Sequence, residues 1–187
     1  HRIMAALAGT TVPVPRMIAL CSDDAVIGAP FYVMERVPGT AFRLATDLEA
    51  LGADRTRTIT ERLVDTLVDL HAVDYTAVGL ADFGRPDGYL ERQVARWRKQ
   101  LEASRSRDID GIDELAARLT DSVPSTGDGT IVHGDFRLDN VLVDTTDGDR
   151  ITTVLDWEMS TLGDPLTDLA VMLAYHRLAL TPAAAGG

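Results

Sequence analysis

Asp135, Asn140 and Asp156 are the residues of this sequence whose types and spacing could do chemistry together. The first two stand within HGDFRLDN, residues 133–140, and the third closes VLD, residues 154–156. Two carboxylates and an amide offer hard oxygen ligands and one general base. That set suits phosphoryl transfer. A Mg²⁺ ion takes carboxylate and amide oxygens, and a carboxylate in line with the γ-phosphate can orient an acceptor hydroxyl and take its proton. A single Asp or Asn here would more simply be a turn former capping a strand; three of them between apolar strands point to chemistry. Arg137 follows Asp135 by two residues. Its guanidinium could stabilise the equatorial oxygens of a transferring phosphoryl group, or could simply pair with Asp139 at the surface.

Such groups must be delivered by strand ends. Thr130–Val132, Val141–Asp144 and residues 150–155 read as strands, the last two folded as a hairpin about Asp147 and Gly148. Asp135 and Asn140 then lie on the loop between two strands, and Asp156 ends the next, so the hairpin brings all three to one edge. Asp164 supplies an N-cap oxygen and Pro165 suits the first helical position; Leu166, Leu169, Ala170 and Leu173 predict a buried stripe on the helix that follows. Upstream, Ile59, Leu63, Leu67 and Leu70 mark one face of a helix over 55–73. Leu90, Val94, Trp97 and Leu101 mark another, and Ile112, Leu115, Ala116 and Leu119 a third. Arg92, Arg96 and Lys99 read as a face opposite Trp97, a solvated stripe or one that could meet a phosphorylated substrate. Before Pro38 and Gly39, Met17–Cys21 and residues 31–35 predict two strands. Residues 124–129 predict a loop of turn formers.

Composition sets limits. The chain has 187 residues, 45% hydrophobic and 25% charged, the mixture of a soluble globular protein, enough for one core or for one lobe of a larger enzyme with part of another. Its longest apolar run, 169–175, is far short of the ~20 residues that cross a bilayer. No secretory leader is legible at the N-terminus. Cys21 is the single cysteine, so no internal disulfide can form and a reducing cytoplasm fits. A net charge of −11 argues against nucleic-acid binding and serves solubility more than substrate choice. The first residue is His1, and the chain stops at 183–187 straight after a helical pattern; both ends predict a fragment.

His133, Gly134, Asp135 and Asn140, followed by LDWE at 155–158, resemble the signature of the aminoglycoside phosphotransferase and choline kinase superfamily. GDPLTDLA at 163–170 resembles that family's following helix start. The longer phrases GAPFYVMERVPG, ERQVARW, HGDFRLDN and LDWEMSTLGDPLTDLA are similar to one branch, the phosphotransferase domain fused to, or encoded beside, acyl-CoA dehydrogenases. The likeness covers nearly the whole chain. It implies an α+β, protein-kinase-like fold. Residues 1–37 would hold the end of the N-terminal lobe and the hinge, and residues 38–187 a helical C-terminal lobe, incomplete at its end. It implies ATP and Mg²⁺ as cofactors, with a small-molecule hydroxyl as acceptor: a hydroxyacyl-CoA or hydroxy acid by the branch, an aminoglycoside or amino alcohol by the wider family. An acyl-CoA dehydrogenase is the implied partner or fused domain.

Residue by residue, the resemblance makes Asp135 the catalytic base and Asn140 and Asp156 the Mg²⁺ ligands, and gives Arg137 the position where protein kinases carry a lysine on the transferred phosphate. The backbone of Glu35 and Val37 becomes the hinge that holds the adenine edge. His133 braces the loop, and Asp168, buried near a helix start, accepts hydrogen bonds from the backbone near His133. His71 reads as a satisfied core histidine, and Asp144, Asp147 and Asp149 as turn residues, since they lack calcium-loop spacing. The Gly-rich loop, strand lysine and helix glutamate of a kinase fold are expected upstream of residue 1, with residues 1–7 as the rest of the glutamate helix. Two other readings stand beside this one. A protein kinase is opposed by Gly134, where many such enzymes carry an arginine, and by the eleven residues between Asp156 and Asp168. A non-catalytic nucleotide-binding or scaffolding module is opposed by the intact Asp135, Asn140 and Asp156.

Overall fold

The computed structural model describes residues 1–125 and 127–179; Thr126, within the loop of 124–129, and the chain end at 183–187 lie outside them. Among the described residues, six α-helices and six strands follow in the order α1 (Arg2–Leu7), β1 (Met17–Cys21), β2 (Phe31–Met34), α2 (Ala45–Glu49), α3 (Ala53–His71), α4 (Tyr89–Ser104), α5 (Ile112–Asp121), β3 (Thr130–Val132), β4 (Val141–Asp144), β5 (Arg150–Val154), β6 (Thr161–Gly163) and α6 (Leu166–Ala179). Short 3₁₀ turns, Leu138–Asn140 and Trp157–Met159, separate β3 from β4 and β5 from β6.

Helix α3 buries Ile59, Leu63, Leu67 and Leu70 along one face, each contributing about 1.5–3 kcal/mol of apolar transfer. That face packs on β3 and β5. Ile3, Met4 and Leu7 of α1, with Val12, complete the same core, together with Ile131, Phe136, Val141, Val143, Val154, Trp157 and Leu162. The strands form three antiparallel pairs, β1 with β2, β3 with β6, and β4 with β5. In the β4–β5 hairpin Val141 faces Val154 and Asp144 faces Arg150. Both edges of this hairpin are extended. Thr40 exchanges backbone hydrogen bonds with Val143, and the Val154 N–H donates to the Pro13 carbonyl at 2.8 Å. The β1–β2 pair is more open, with Ile18, Leu20, Tyr32 and Val33 exposed.

The structure departs from several expectations. Strand β6 is not anticipated: three residues ending in glycine carry no strand signal of their own, and pairing with β3 creates the element. A Cβ on Gly163 would stand 2.8 Å from the Tyr89 ring, so glycine lets the start of α4 close over β6. The stripe assigned to α6 is not buried; Leu166 is 66% and Leu173 52% exposed. The inward side of α6 instead carries the buried Asp168 and the partly buried Met172, because the helix is held to the loop after β3 by polar contacts. Likewise α4 and α5 pack on each other, yet Trp97, Leu115 and Leu119 stay about half exposed. Arg96 does not face away from Trp97: its guanidinium lies over that ring at 5.1 Å. Asp149 is more than a turn residue. It is buried, and its Oδ2 accepts from Arg55 Nε on α3 at 2.9 Å.

Candidate active site

The loop after β3 begins with a histidine enclosed by aromatic rings. His133 is fully buried, 4.6 Å from the Trp157 ring and 5.7 Å from Phe136. Its Nε2 donates to the Leu155 carbonyl at 2.9 Å, and its Nδ1 accepts from the Asp135 N–H at 3.3 Å. These bonds require a neutral ring with the proton on Nε2. Burial pushes the imidazole below the usual histidine range, against the opposing pull of the Leu155 carbonyl and the Asp168, Asp135 and Asp156 carboxylates. One histidine thus ties the loop bearing Asp135 to the strand end bearing Asp156.

Gly134 adopts φ +88°, and a Cβ there would meet the Met159 carbonyl oxygen at 2.7 Å. The glycine allows the turn after Asp156 to close directly on this loop. The two peptide N–H groups at this bend point into α6. His133 N donates to Asp168 Oδ2 at 2.9 Å and Gly134 N to Oδ1 at 2.8 Å. Asp168 has no exposed surface, and a third donor, His71 Nε2 from the end of α3, reaches its Oδ2 at 3.0 Å. The charge is therefore spread over three donors, which is what a buried carboxylate requires.

Asp135 is half-buried, with its carboxylate held on one side. Asn140 Nδ2 donates to Asp135 Oδ2 and to the Asp135 carbonyl, both at 2.9 Å. Arg137 Nε reaches the same Oδ2 at 3.3 Å, while Arg137 Nη1 pairs with Asp139 at 2.9 Å. The expected pairing with Asp139 is therefore present, and the guanidinium also contacts Asp135. Oδ1 of Asp135 has no partner among the described residues and is left to meet a proton donor. Because Asn140 spends its Nδ2 on Asp135, its Oδ1 is the end available to a hard cation. Leu155 N donates to the Asn140 carbonyl at 2.8 Å, which puts Asp156 one residue from that junction. Asp156 is exposed in the left-handed region, φ 63° and ψ 55°, which Asp enters more readily than most non-glycine residues and which Asp149 also adopts. No hydrogen bond or ion pair engages its carboxylate among the described residues. No group of three or more His, Cys, Asp or Glu side chains able to hold a metal occurs among those residues; the available donors are one amide oxygen and one carboxylate. Such a pair fits Mg²⁺, which keeps several waters and relies on one or two carboxylates plus substrate phosphates.

Glu35, exposed, and Val37, half-buried, follow the end of β2. The Glu35 N–H is committed to the Arg16 carbonyl at 2.9 Å, which leaves the Glu35 carbonyl and the Val37 N–H unpartnered among the described residues. The bridge between Thr40 and Val143 leads from this segment to β4, directly after Asn140. Sequence reasoning passes over the partner of His71, because Asp168 lies 97 residues away, and over Tyr175, whose ring lies 4.5 Å under the Arg137 guanidinium. No local spacing signals either contact. Among the described residues no helix is long and apolar enough to cross a membrane.

Three comparisons bear on this geometry. The model of the phosphotransferase enzyme family matches residues 1–187. The chain is 40% identical over 177 residues to acyl-CoA dehydrogenase family member 11 of Gallus gallus, covering 94% of itself and 22% of that protein. It is 41% identical over 176 residues to family member 10 of Mus musculus, covering 94% of itself and 16% of that protein. It thus spans about a fifth of the length of these curated relatives. Among solved structures it is similar to a Ralstonia eutropha protein provisionally assigned as an aminoglycoside phosphotransferase, with 40% identity, a TM-score of 0.85, and coverage of 94% of this chain and 54% of that one. An aminoglycoside-3'-phosphotransferase of type VIII follows at 25% identity and a TM-score of 0.62, covering 92% and 61%. The GDP complex of aminoglycoside 2'-phosphotransferase-IIIa shares the fold at 20% identity and a TM-score of 0.70, covering 92% and 59%. The architecture is accordingly α+β and protein-kinase-like.

Proposed function

The chain belongs to the phosphotransferase enzyme family, and from that premise we propose that it transfers the γ-phosphate of ATP to a hydroxyl of a small molecule. The observation that carries this reading is the Asp135 carboxylate, held through Oδ2 by Asn140 and Arg137 with Oδ1 left open. Oδ1 would take the proton of the acceptor hydroxyl as the acceptor oxygen bonds to the γ-phosphorus and the bond from that phosphorus to the β–γ bridging oxygen breaks, releasing ADP. Arg137 would carry the charge on the equatorial oxygens of the transferring group. Asn140 Oδ1 and Asp156 would hold Mg²⁺, and the bound ion would supply neutralisation of the β- and γ-phosphate charge. The Glu35 carbonyl and the Val37 N–H would receive the adenine edge, which makes residues 1–37 the end of the N-terminal lobe and residues 38–187 the catalytic lobe. His133 and Asp168 would act through the backbone, by fixing the loop.

Nucleotide binding is supported by the GDP complex formed by a protein of the same fold. For the acceptor, relatives named acyl-CoA dehydrogenase family members favour a hydroxyacyl-CoA or hydroxy acid, with a dehydrogenase as fused or neighbouring partner. The Ralstonia eutropha relative favours an amino sugar. Assaying hydroxy acids, their CoA esters and amino sugars side by side separates the two. Asp135→Asn, nearly isosteric but unable to take the proton, should lower kcat by about 10²–10⁴-fold on the true acceptor with little change in ATP affinity. Comparable turnover in that variant would sink the assignment, since the loop's other carboxylate, Asp139, is paired with Arg137.

A further inference from the structure

Helix α6 addresses the loop after β3 at two points. Asp168 takes the loop's backbone N–H groups. Met172 and Tyr175 follow on the same face at helical spacing, and the Tyr175 ring lies beneath the Arg137 guanidinium at 4.5 Å. The exposed leucines, Leu166, Leu169 and Leu173, share the other side. Arg137 therefore has three anchors: Asp135 at Nε, Asp139 at Nη1 and the aromatic face at Cζ. The anchors do different things. Ion pairs of a half-exposed arginine hold charge loosely, whereas an aromatic face against the planar guanidinium limits where it can turn.

We propose that Tyr175 is a positioning residue for Arg137: the ring fixes the guanidinium so that Nε stays on Asp135 Oδ2 while Nη2 remains free for an oxygen of the transferring phosphate. This rests on the reading of Asp135 and Arg137 given above. Without the ring, Arg137 swings on its flexible stem between Asp139 and solvent, and Asp135 loses one of its two side-chain restraints. The aromatic face is what matters, not the hydroxyl.

Two measurements test this in the complete polypeptide that carries these residues. In NMR spectra the Arg137 Nε–Hε resonance should be displaced by the ring current. The displacement should persist in Tyr175→Phe and vanish in Tyr175→Leu. In steady-state kinetics Tyr175→Leu should lower kcat about 3- to 10-fold with the KM for ATP unchanged, and Tyr175→Phe should recover most of that loss. In an Arg137→Ala background, Tyr175→Leu should cost nothing further. Additive losses, or a Phe variant as impaired as Leu, would overturn the inference. So would wild-type turnover in Tyr175→Leu beside an impaired Arg137→Ala, which would leave the role of Arg137 standing. Wild-type turnover in Arg137→Ala would overturn that role as well.

Discussion

At Asn140 one amide is divided between two tasks. Its Nδ2 restrains Asp135 through two hydrogen bonds, and its Oδ1 is the end we assign to Mg²⁺. Asp156, exposed and without a hydrogen-bond partner among the described residues, has the metal as its only proposed task. The two substitutions should therefore differ in kind. Asp156→Ala should abolish Mg²⁺-dependent ATP turnover, because the phosphate charge loses its one anionic protein bridge. Asn140→Ala should weaken the metal less, since a neutral ligand is easily replaced by water, but should still lower kcat about 10-fold or more through the loss of Asp135 positioning. Titrating Mg²⁺ separates them: excess metal should leave the Asn140→Ala deficit largely in place. Full rescue by Mg²⁺ would reduce Asn140 to a ligand alone, and unchanged turnover in Asp156→Ala would remove the metal role. At this scale the sequence is informative where the spacing is short. Asp135 and Asn140 meet across one tight loop, so their pairing is legible in HGDFRLDN. Tyr175 and His71 come from remote elements, and nothing in their neighbourhoods announces Arg137 or Asp168.

Among the elements, α3 and α6 show why burial is legible in one helix and not in another. The stripe of Ile59, Leu63, Leu67 and Leu70 faces a hydrophobic sheet, so apolar periodicity alone identifies the inward side. In α6 the inward side is set by a carboxylate, and the leucines follow no partner among the described residues. Strand β6 fails for a related reason, since its existence depends on β3. The same carboxylate makes α6 a structural element of the site. Asp168→Asn keeps the shape but supplies one acceptor oxygen and two donors, so at least one of the His133, Gly134 and His71 donors must face another donor. A buried donor left without an acceptor costs about 1–3 kcal/mol, which in a chain of this size lowers Tm by roughly 2–4 °C per kcal/mol. Thermal unfolding should therefore shift down by about 2–12 °C, and kcat should fall because Asp135 follows directly on the displaced peptides. An Asp168→Asn protein with unaltered Tm and turnover would show that the two N–H bonds do not hold the loop.

For the molecule as a whole, the β4–β5 hairpin, already packed on the apolar face of α3, is also tied to that helix at its turn by an ion pair. Arg55, near the start of α3, donates through Nε to Asp149 Oδ2 and through Nη2 to the Thr145 carbonyl, both at 2.9 Å. Asp149 sits in the turn at φ 55° and is buried. The hydrogen bond from Arg55, with its charge, holds the Asp149 carboxyl below the usual carboxylate range. The sign of the linkage follows. The unfolded chain takes up the proton at about pH 3.9, before the folded chain does, so acidification favours unfolding through this group. The stability it contributes is present in full above the unfolded value and is lost as pH falls through the depressed folded value. With a net charge of −11, acidification also relieves general repulsion, so wild-type stability against pH mixes the two effects. A difference removes the mixture. Asp149→Asn should lower the urea midpoint of unfolding at pH 7. The gap from wild type should hold steady down to about pH 5, narrow below pH 4 and close once the folded carboxyl is protonated. Arg55→Met should show the same closing gap from the other partner. A gap that persists undiminished at pH 2, or no gap at pH 7, would show that the charge pair does not fasten the hairpin to α3.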